Sequence, residues 1–438
     1  MKKLSKNNLI LISLTLFSMF FGAGNLIFPP FLGAQAGTNT WIAMLGFCVS
    51  AIALPIFGVI AVAKSGGLRN LASRVHPIFA AVFTFLIYLS IGPLLAIPRT
   101  ASTSFEMAVV PFMSGNNNLS LMQVAYSVIF FCIALSLALN PDKLIDRLGK
   151  ILTPCLLTLI LIVVIGCLIS PVGKYGVPLN DYAAQPLIKG FLDGYLTMDT
   201  IAALNFGIII SINIRAKGIQ EEKSIVKETI KAGLIAGFVL LIVYISLAHV
   251  GALSGGTFTN STNGAQSLTN IVSALYGKSG IIILAIIFAI ACLNTCVGLI
   301  SCCSEYFYTI VPSISYKKWA CFFAFISMII SNAGLNKILE VSVPILNAIY
   351  PIAIVIILLS FIHKLIRNYR FIYPITVLMT GTVSITYALF QSNISIPTLT
   401  SLASKIPFYS VGLGWIIPAV IGMVVGIIMS ISSNKNIV

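Results

Sequence analysis

Apolar residues are gathered along this chain into uncharged runs that recur from one end to the other, with short polar connections between them. A hydrocarbon core about 30 Å thick is crossed by roughly 20 helical residues, which is the length of these runs. They predict twelve spans, at approximately 8–33, 41–63, 77–111, 119–139, 148–170, 189–214, 230–253, 279–306, 316–333, 338–361, 371–391 and 408–431. The third is long enough to tilt, or to bend near Pro93 and Pro98. The opening Met1-Lys2-Lys3 and its apolar run imitate a secretory signal. No small-residue cleavage site follows closely, so the run is expected to be the first helix.

The first run is interrupted by Phe20-Phe21-Gly22-Ala23-Gly24-Asn25, with Pro29-Pro30 about a turn later. A helix that must satisfy its own backbone in lipid does not place two glycines and an asparagine at mid-depth unless the opened backbone serves a purpose. Five spans precede the loop at 171–188, and five more follow before the last two. Because five is odd, a second copy of such a unit enters the membrane from the opposite face, and inverted repeats of this kind bring one broken helix from each copy to the midplane. The sixth span is therefore expected to be interrupted as the first is. Its start, Gly190 to Thr200, holds two glycines, two aspartates and two threonines. The expected organisation is one all-α polytopic unit over 1–438, with a first five-helix repeat at 8–170, an inverted second at 189–361 and two extra helices at 371–431. Residues 254–270 are expected to form a polar connection between spans seven and eight, and 215–231 a charged connector or short amphipathic helix.

Composition agrees with a bilayer. With 58% hydrophobic and 8% charged residues and a mean hydropathy of +1.04, the chain lies far from soluble domains, whose charged fraction is roughly 25%. A net charge of +15 suggests nucleic acid until the positive residues are placed. Arg99 is within a span; of the other Lys and Arg, all but Lys174, Lys189, Lys278, Lys337 and Lys405 fall in one alternate set of loops and at the termini. By the positive-inside rule both termini are then cytoplasmic in a multi-pass protein of the cell (inner) membrane, as an even number of spans requires. The expected partners are a small molecule and membrane lipid, with no nucleic acid and no obligatory protein partner. The nine cysteines sit in or beside apolar runs, Cys292, Cys296, Cys302 and Cys303 on one span, and read as small apolar filling residues rather than a zinc cluster. His76, His249 and His363 are far apart, and no HExxH, GxSxG or phosphate-loop pattern occurs. Enzymatic chemistry and a bound cofactor are not expected, and ion gradients, of sodium or protons, remain as the energy source.

The interruptions carry the candidate chemistry. Gly22 and Gly24 free N–H groups at the start of the outer half-helix, whose positive dipole end suits a carboxylate. The carbonyls of Ser18 and Phe21 end the inner half-helix and suit a small cation or an ammonium group. Asn25 adds one carbonyl oxygen and two donors. A carboxylate such as Asp199 near the bilayer centre is costly unless paired, hydrated or protonated. Four roles are open to it: binding the substrate amine, a coupling cation or a proton, or capping the broken helix. Thr197 is a candidate cation or substrate ligand. In span eight, Ala291-Cys292-Leu293-Asn294-Thr295 places a carbonyl and two side-chain oxygens on one helical face. That spacing either completes an oxygen-rich sodium site or returns the threonine hydroxyl to the preceding turn. Arg99 and Glu106, two turns apart, are expected to form an ion pair. Glu305 reads as an interfacial charge, and Glu340 as one opening span ten.

Together these residues resemble the bacterial branched-chain amino acid carrier family, cation-coupled symporters for leucine, isoleucine and valine. The resemblance runs along essentially the whole chain, through FFGAGNLIFPPFLG, DGYLTMDTIAAL, ACLNTCVGLISC and VPILNAIYPIAIVIILLSF. It implies the LeuT-type fold, with spans one to five and six to ten as the inverted repeat, and coupling to sodium. Gly22-Ala23-Gly24-Asn25 is similar to that fold's first break, which implies that the Ala23 and Gly24 amides hold the substrate carboxylate. By the same likeness Ser18 and Phe21 offer carbonyls to one sodium completed by Ala291, Asn294 and Thr295, with Asn294 standing where a hydroxyl is usual. Asn25 and Thr197 then belong to a second site nearer the substrate, and Tyr195 and Leu196 line the pocket for the branched side chain. Asp199 has no counterpart in the general pattern. The alternative is a proton-coupled permease of the same fold for another small neutral amino acid, with Asp199 as proton carrier.

Overall fold

The computed structural model of the chain describes residues 3–113, 118–139, 141–259, 261–394 and 396–435, with the side chains of 141–153, 434 and 435 left undescribed. Of the charge pattern, Lys2, Lys143, Arg147, Lys150 and Lys435 lie outside the described side chains.

The chain is helical in every range where the apolar runs place a span. The first range is split into α1 (Lys6–Phe20) and α2 (Ala23–Ala36). The second is α3 (Thr40–Cys48) and α4 (Leu54–Ser65), joined by a π-helical turn at Val49–Ala53. After the short α5 (Leu68–Ala72), the third comprises α6 (Pro77–Leu89) and α7 (Ala96–Ala108). Between them Gly92 is non-helical, so the bend falls beside Pro93, while Pro98 is absorbed in α7. Next come α8 (Leu119–Ala138), α9 (Pro141–Ile169), the one-turn α10 (Asp181–Ala184), α11 (Pro186–Asp193) and α12 (Asp199–Ala216). They are followed by α13 (Glu222–Gly255), α14 (Gly264–Ile310), α15 (Tyr316–Ser331), α16 (Leu335–Ile366), α17 (Ile372–Gln391), α18 (Pro397–Ala403) and α19 (Ile416–Lys435). Among the described residues nine helical stretches are long and apolar enough to cross a membrane, and Lys6–Phe20 and Pro154–Ile169 are shorter apolar helices. Large apolar side chains such as Leu121, Leu161, Leu234 and Phe238 are exposed on the outside, as lipid contact requires.

Three expectations need correction. Residues 222–231 are neither a connector nor a separate helix: they are the first turns of α13, begun after a turn at Gly218 with Glu222 at the positive helix end. The connection at 254–270 is shorter than its composition suggests, because α14 starts at Gly264 with Asn263 accepting from the Gln266 amide as its N-cap. That helix then turns at Gly277, whose φ of +61° needs a residue without a β-carbon. The final helix begins at Ile416 rather than near 408, since Pro407, Gly412 and Gly414 interrupt the run before it.

The packing that positions the two split helices is made by small residues. α1 and α2 run along α13, while α3 lies along α11 and α4 along α12. A β-carbon on Gly33 would stand 2.0 Å from the Ala248 carbonyl oxygen, and one on Gly251 2.0 Å from that of Pro30. In the second pairing a β-carbon on Gly46 would meet the Leu187 oxygen at 2.0 Å, and one on Gly190 the Ala43 oxygen at 1.9 Å. Backbones in direct contact gain dispersion energy that lipid does not offset, which makes these glycines the adhesive between helices.

Candidate functional site

Both expected interruptions occur. The chain leaves the helix at Phe21 and re-enters at Ala23, and Gly22 sits between in an extended conformation. In the sixth range α11 gives way to a 3-10 turn at Gly194–Thr197, and Met198 takes a left-handed conformation (φ +65°) before α12 begins at Asp199. A bulky residue held there stores strain, which persists only where the surroundings enforce it. At both breaks a helix N-terminus, that of α2 and that of α12, opens where its first N–H groups lack intrahelical partners.

Asp199 joins the breaks. It is 3% exposed, and its carboxylate accepts from Asn25 Nδ2 at 2.5 Å and from the Tyr244 hydroxyl of α13 at 3.3 Å. Asn25 Nδ2 also donates to Tyr244 Oη. The same asparagine turns its Oδ1 back to accept from the Gly22 amide at 3.1 Å, which satisfies one of the N–H groups freed by the break. Thr197 Oγ1 donates to the Gly194 carbonyl and accepts from the Asp199 amide. Asn25 and Thr197, expected around one cation, are thus linked through Asp199.

Arg99 does not pair with Glu106, which corrects the expected ion pair. Glu106 accepts from Asn263 at the start of α14. Arg99, 6% exposed, points the other way: its Nη1 donates to the Leu196 carbonyl at 2.5 Å and its guanidinium lies over the Phe28 ring at 5.4 Å. A β-carbon on Gly24 would stand 2.9 Å from Arg99 Nη2. The absence of a side chain there is what lets the guanidinium approach the first break. Arg99 and Asp199 sense each other's charge across the site. Buried charges of this sort are kept only where hydrogen bonds offset the cost of taking them out of water, as Asn25 and Tyr244 do for Asp199.

The span-eight residues reach the first break from the other side. Thr295 lies 3.5 Å from where a β-carbon on Gly22 would be, and its hydroxyl donates to the Ala291 carbonyl at 3.1 Å. Asn294 Oδ1 is buried without a hydrogen-bond donor among the described residues. An unmet acceptor in a dry place is costly, and a small cation is one thing that removes the cost. Phe21, whose ring stacks on Phe17, and Ser18 lie at or just before the end of α1. Cys292, Cys296 and Cys303 are buried on α14 as packing residues, and α14 lies against α7.

A cavity of about 500 Å³ reaches the second break at Tyr195 and Leu196 and α2 at Phe28, with Asn347, Glu340, Lys189 and Asp193 also among its walls. Its size suits a small organic molecule. Tyr195 is held by stacking on Tyr350, ring centroids 4.2 Å apart. In the same wall Lys189 and Tyr182 both donate to Asp193. Burial first, and the Asp193 carboxylate second, hold the Tyr182 hydroxyl well above its usual pKa, so it remains a donor. Tyr244 was not singled out by sequence, where one tyrosine in an apolar span offers no motif. The signal available was that Asp199 has no local partner and must find one on another helix.

A family model described as "Branched-chain amino acid transport protein" matches residues 5–433. The chain is 42% identical to the branched-chain amino acid permease BraB of Bacillus subtilis, over 96% of this chain and 95% of that protein. It is 41% identical to the branched-chain amino acid permease BrnQ of the same organism over 99% of each. Against the branched-chain amino acid transport system 2 carrier protein of Pseudomonas aeruginosa it is 38% identical, over 96% and 95%. Among solved structures, Mhp1 in its inward-facing conformation is similar with a TM-score of 0.63 at 12% identity, covering 100% of this chain and 95% of that one. MhsT in complex with L-phenylalanine gives 0.53 at 16% identity over 99% of each chain. At those identities the likeness is one of fold alone: this all-helical chain shares the overall fold of Mhp1 and MhsT.

Proposed function

The chain belongs to the branched-chain amino acid transport protein family, and from that premise we propose that it is a sodium-coupled symporter carrying L-leucine, L-isoleucine or L-valine into the cytoplasm by alternating access. Family membership makes it a carrier and not an enzyme. The observation on which the proposal rests is the meeting of two interrupted helices around one buried carboxylate. Opened backbone persists at membrane depth only where protein or a ligand satisfies it.

In this mechanism the Ala23 and Gly24 amides, at the N-terminus of α2, receive the substrate carboxylate, and Gly22 leaves the backbone open to it. Asp199 receives the ammonium group. Tyr195 and Leu196, with Phe28 beside them, enclose the branched side chain. Sodium is taken by the Ser18, Phe21 and Ala291 carbonyls with Asn294 and Thr295, and a second ion by Asn25 and Thr197. Supporting the first site are the buried, donor-free Asn294 oxygen and the nearness of Thr295 to Gly22.

The chain is a single polytopic unit of twelve spans, with inverted repeats at 8–170 and 189–361 and two further helices at 371–431. What supports the repeat is a pairing that maps onto itself: the first span packs on the seventh as the sixth packs on the second, with close glycines in both. Both termini face the cytoplasm, in keeping with the loops that hold Lys64, Arg69, Arg74, Lys317 and Lys318.

The test is uptake of labelled leucine into proteoliposomes with and without an inward sodium gradient. Sodium is expected to drive accumulation, and Thr295→Ala to need about tenfold more sodium for half-activation, the scale of one lost ligand oxygen. Accumulation driven by a proton gradient alone would instead favour a proton-coupled permease for a small neutral amino acid. The complete burial of Asp199 gives that second mechanism its footing.

A further inference from the structure

We propose that Arg99 recognises the α-carboxylate of the transported amino acid, a role that rests on the amino-acid carrier assigned above and adds to it the residue that selects for the acid group. A guanidinium has five N–H donors in a planar fork. Among the described residues this one makes a single hydrogen bond, to the Leu196 carbonyl. It is nine-tenths buried, away from water that would satisfy the remaining donors. Its Nη2 faces Gly24, at the N-terminal turn of α2, where the missing β-carbon lets the two come together. Phe28 carries the guanidinium on its ring and also lines the cavity. A cation with unused donors and a helix N-terminus therefore meet at Gly24, one turn from Phe28 and the cavity that it lines. The ligand chemistry that satisfies all three is a carboxylate bound to the fork in two places.

Asp199, tied through Asn25 to the same turn of α2 that Arg99 approaches at Gly24, supplies the opposite pole. The two charges select a zwitterion: a molecule bearing only the ammonium group leaves Arg99 unmet, and one bearing only the carboxylate leaves Asp199 unmet. Leu196 belongs to the turn linking α11 to α12, and its carbonyl holds Nη1 while the remaining donors of the fork are left for the carboxylate.

The experiment is binding of leucine and of leucinamide, which keeps the ammonium group but has no carboxylate, to purified full-length protein in detergent. Wild type is expected to prefer leucine by about a hundredfold or more, the scale of two charge-assisted hydrogen bonds. In Arg99→Gln the preference is expected to fall below about fivefold, and in Arg99→Lys, which keeps the charge without the fork, to lie between. A purely structural role would weaken both ligands alike and leave their ratio in place. An unchanged ratio in Arg99→Gln, or in Arg99→Lys should the glutamine variant not fold, overturns the role. A wild type that binds no branched-chain amino acid defeats the assigned substrate as well, a distinct result.

Discussion

Asp199→Asn is expected to lower leucine uptake by at least about a hundredfold while the protein still inserts and remains monodisperse. Asparagine matches aspartate in shape and its side-chain oxygen still accepts from Asn25 and Tyr244, so the contacts that link α2, α12 and α13 survive. What disappears is the negative charge. Without it the ammonium group of the substrate loses its counter-charge and enters a site that holds the Arg99 guanidinium. Truncating one partner of a buried, hydrogen-bonded charge contact in a binding site costs roughly 2–5 kcal/mol, and a hundredfold loss needs only about 2.7 kcal/mol. Uptake by proteoliposomes containing equal amounts of each protein decides the matter. Activity within about threefold of wild type would remove Asp199 from the binding site and leave it a helix cap.

The second large effect lies away from the site. Gly251→Val is expected to abolish recovery of folded protein, because a β-carbon there lies 2.0 Å from the Pro30 oxygen and 2.6 Å from its carbonyl carbon. Overpacking against side chains costs about 1–3 kcal/mol, but here the obstacle is backbone, and the whole of α2 must move away from α13. Proline at 29 and 30 leaves that part of α2 with fewer internal hydrogen bonds to hold it together as it shifts. Gly298→Ala is the control: nothing lies within 4 Å of its β-carbon, and inside a helix the change is neutral or slightly stabilising. Thermal melting followed by size-exclusion chromatography measures both. A Gly251→Val protein that melts with the wild type would show that α2 and α13 are not held by backbone contact.

Both breaks were legible because each is written in residues that a lipid-facing helix avoids: Gly22, Gly24 and Asn25 in the first, Gly194, Thr197 and Asp199 in the second. Their local chemistry is short-range, and one stretch of sequence contains all of it. The partners of those residues were not legible. Arg99 has Glu106 two turns away on its own helix, which makes an ion pair the natural expectation. The observed partner is a carbonyl oxygen nearly a hundred residues later, and a carbonyl has no signature of its own. Tyr244 is similar: an apolar span tolerates a tyrosine for packing alone, and only the fold shows Asp199 opposite it. Span lengths were readable where polar residues bound the apolar run. They failed at 222–231, where charged residues continue a helix beyond the membrane, because helix propensity does not depend on hydropathy and Glu and Lys are good helix formers.

The mechanism requires that the two ligands be linked, since the first break serves both. The most direct measurement is the affinity of purified protein for leucine at low and at saturating sodium, together with its affinity for sodium with and without leucine. Each ligand is expected to tighten the other by the same factor, about tenfold or more, as linkage demands of two sites that share a conformational change. Leucine binding that is tight and wholly indifferent to sodium would contradict the coupling at its root.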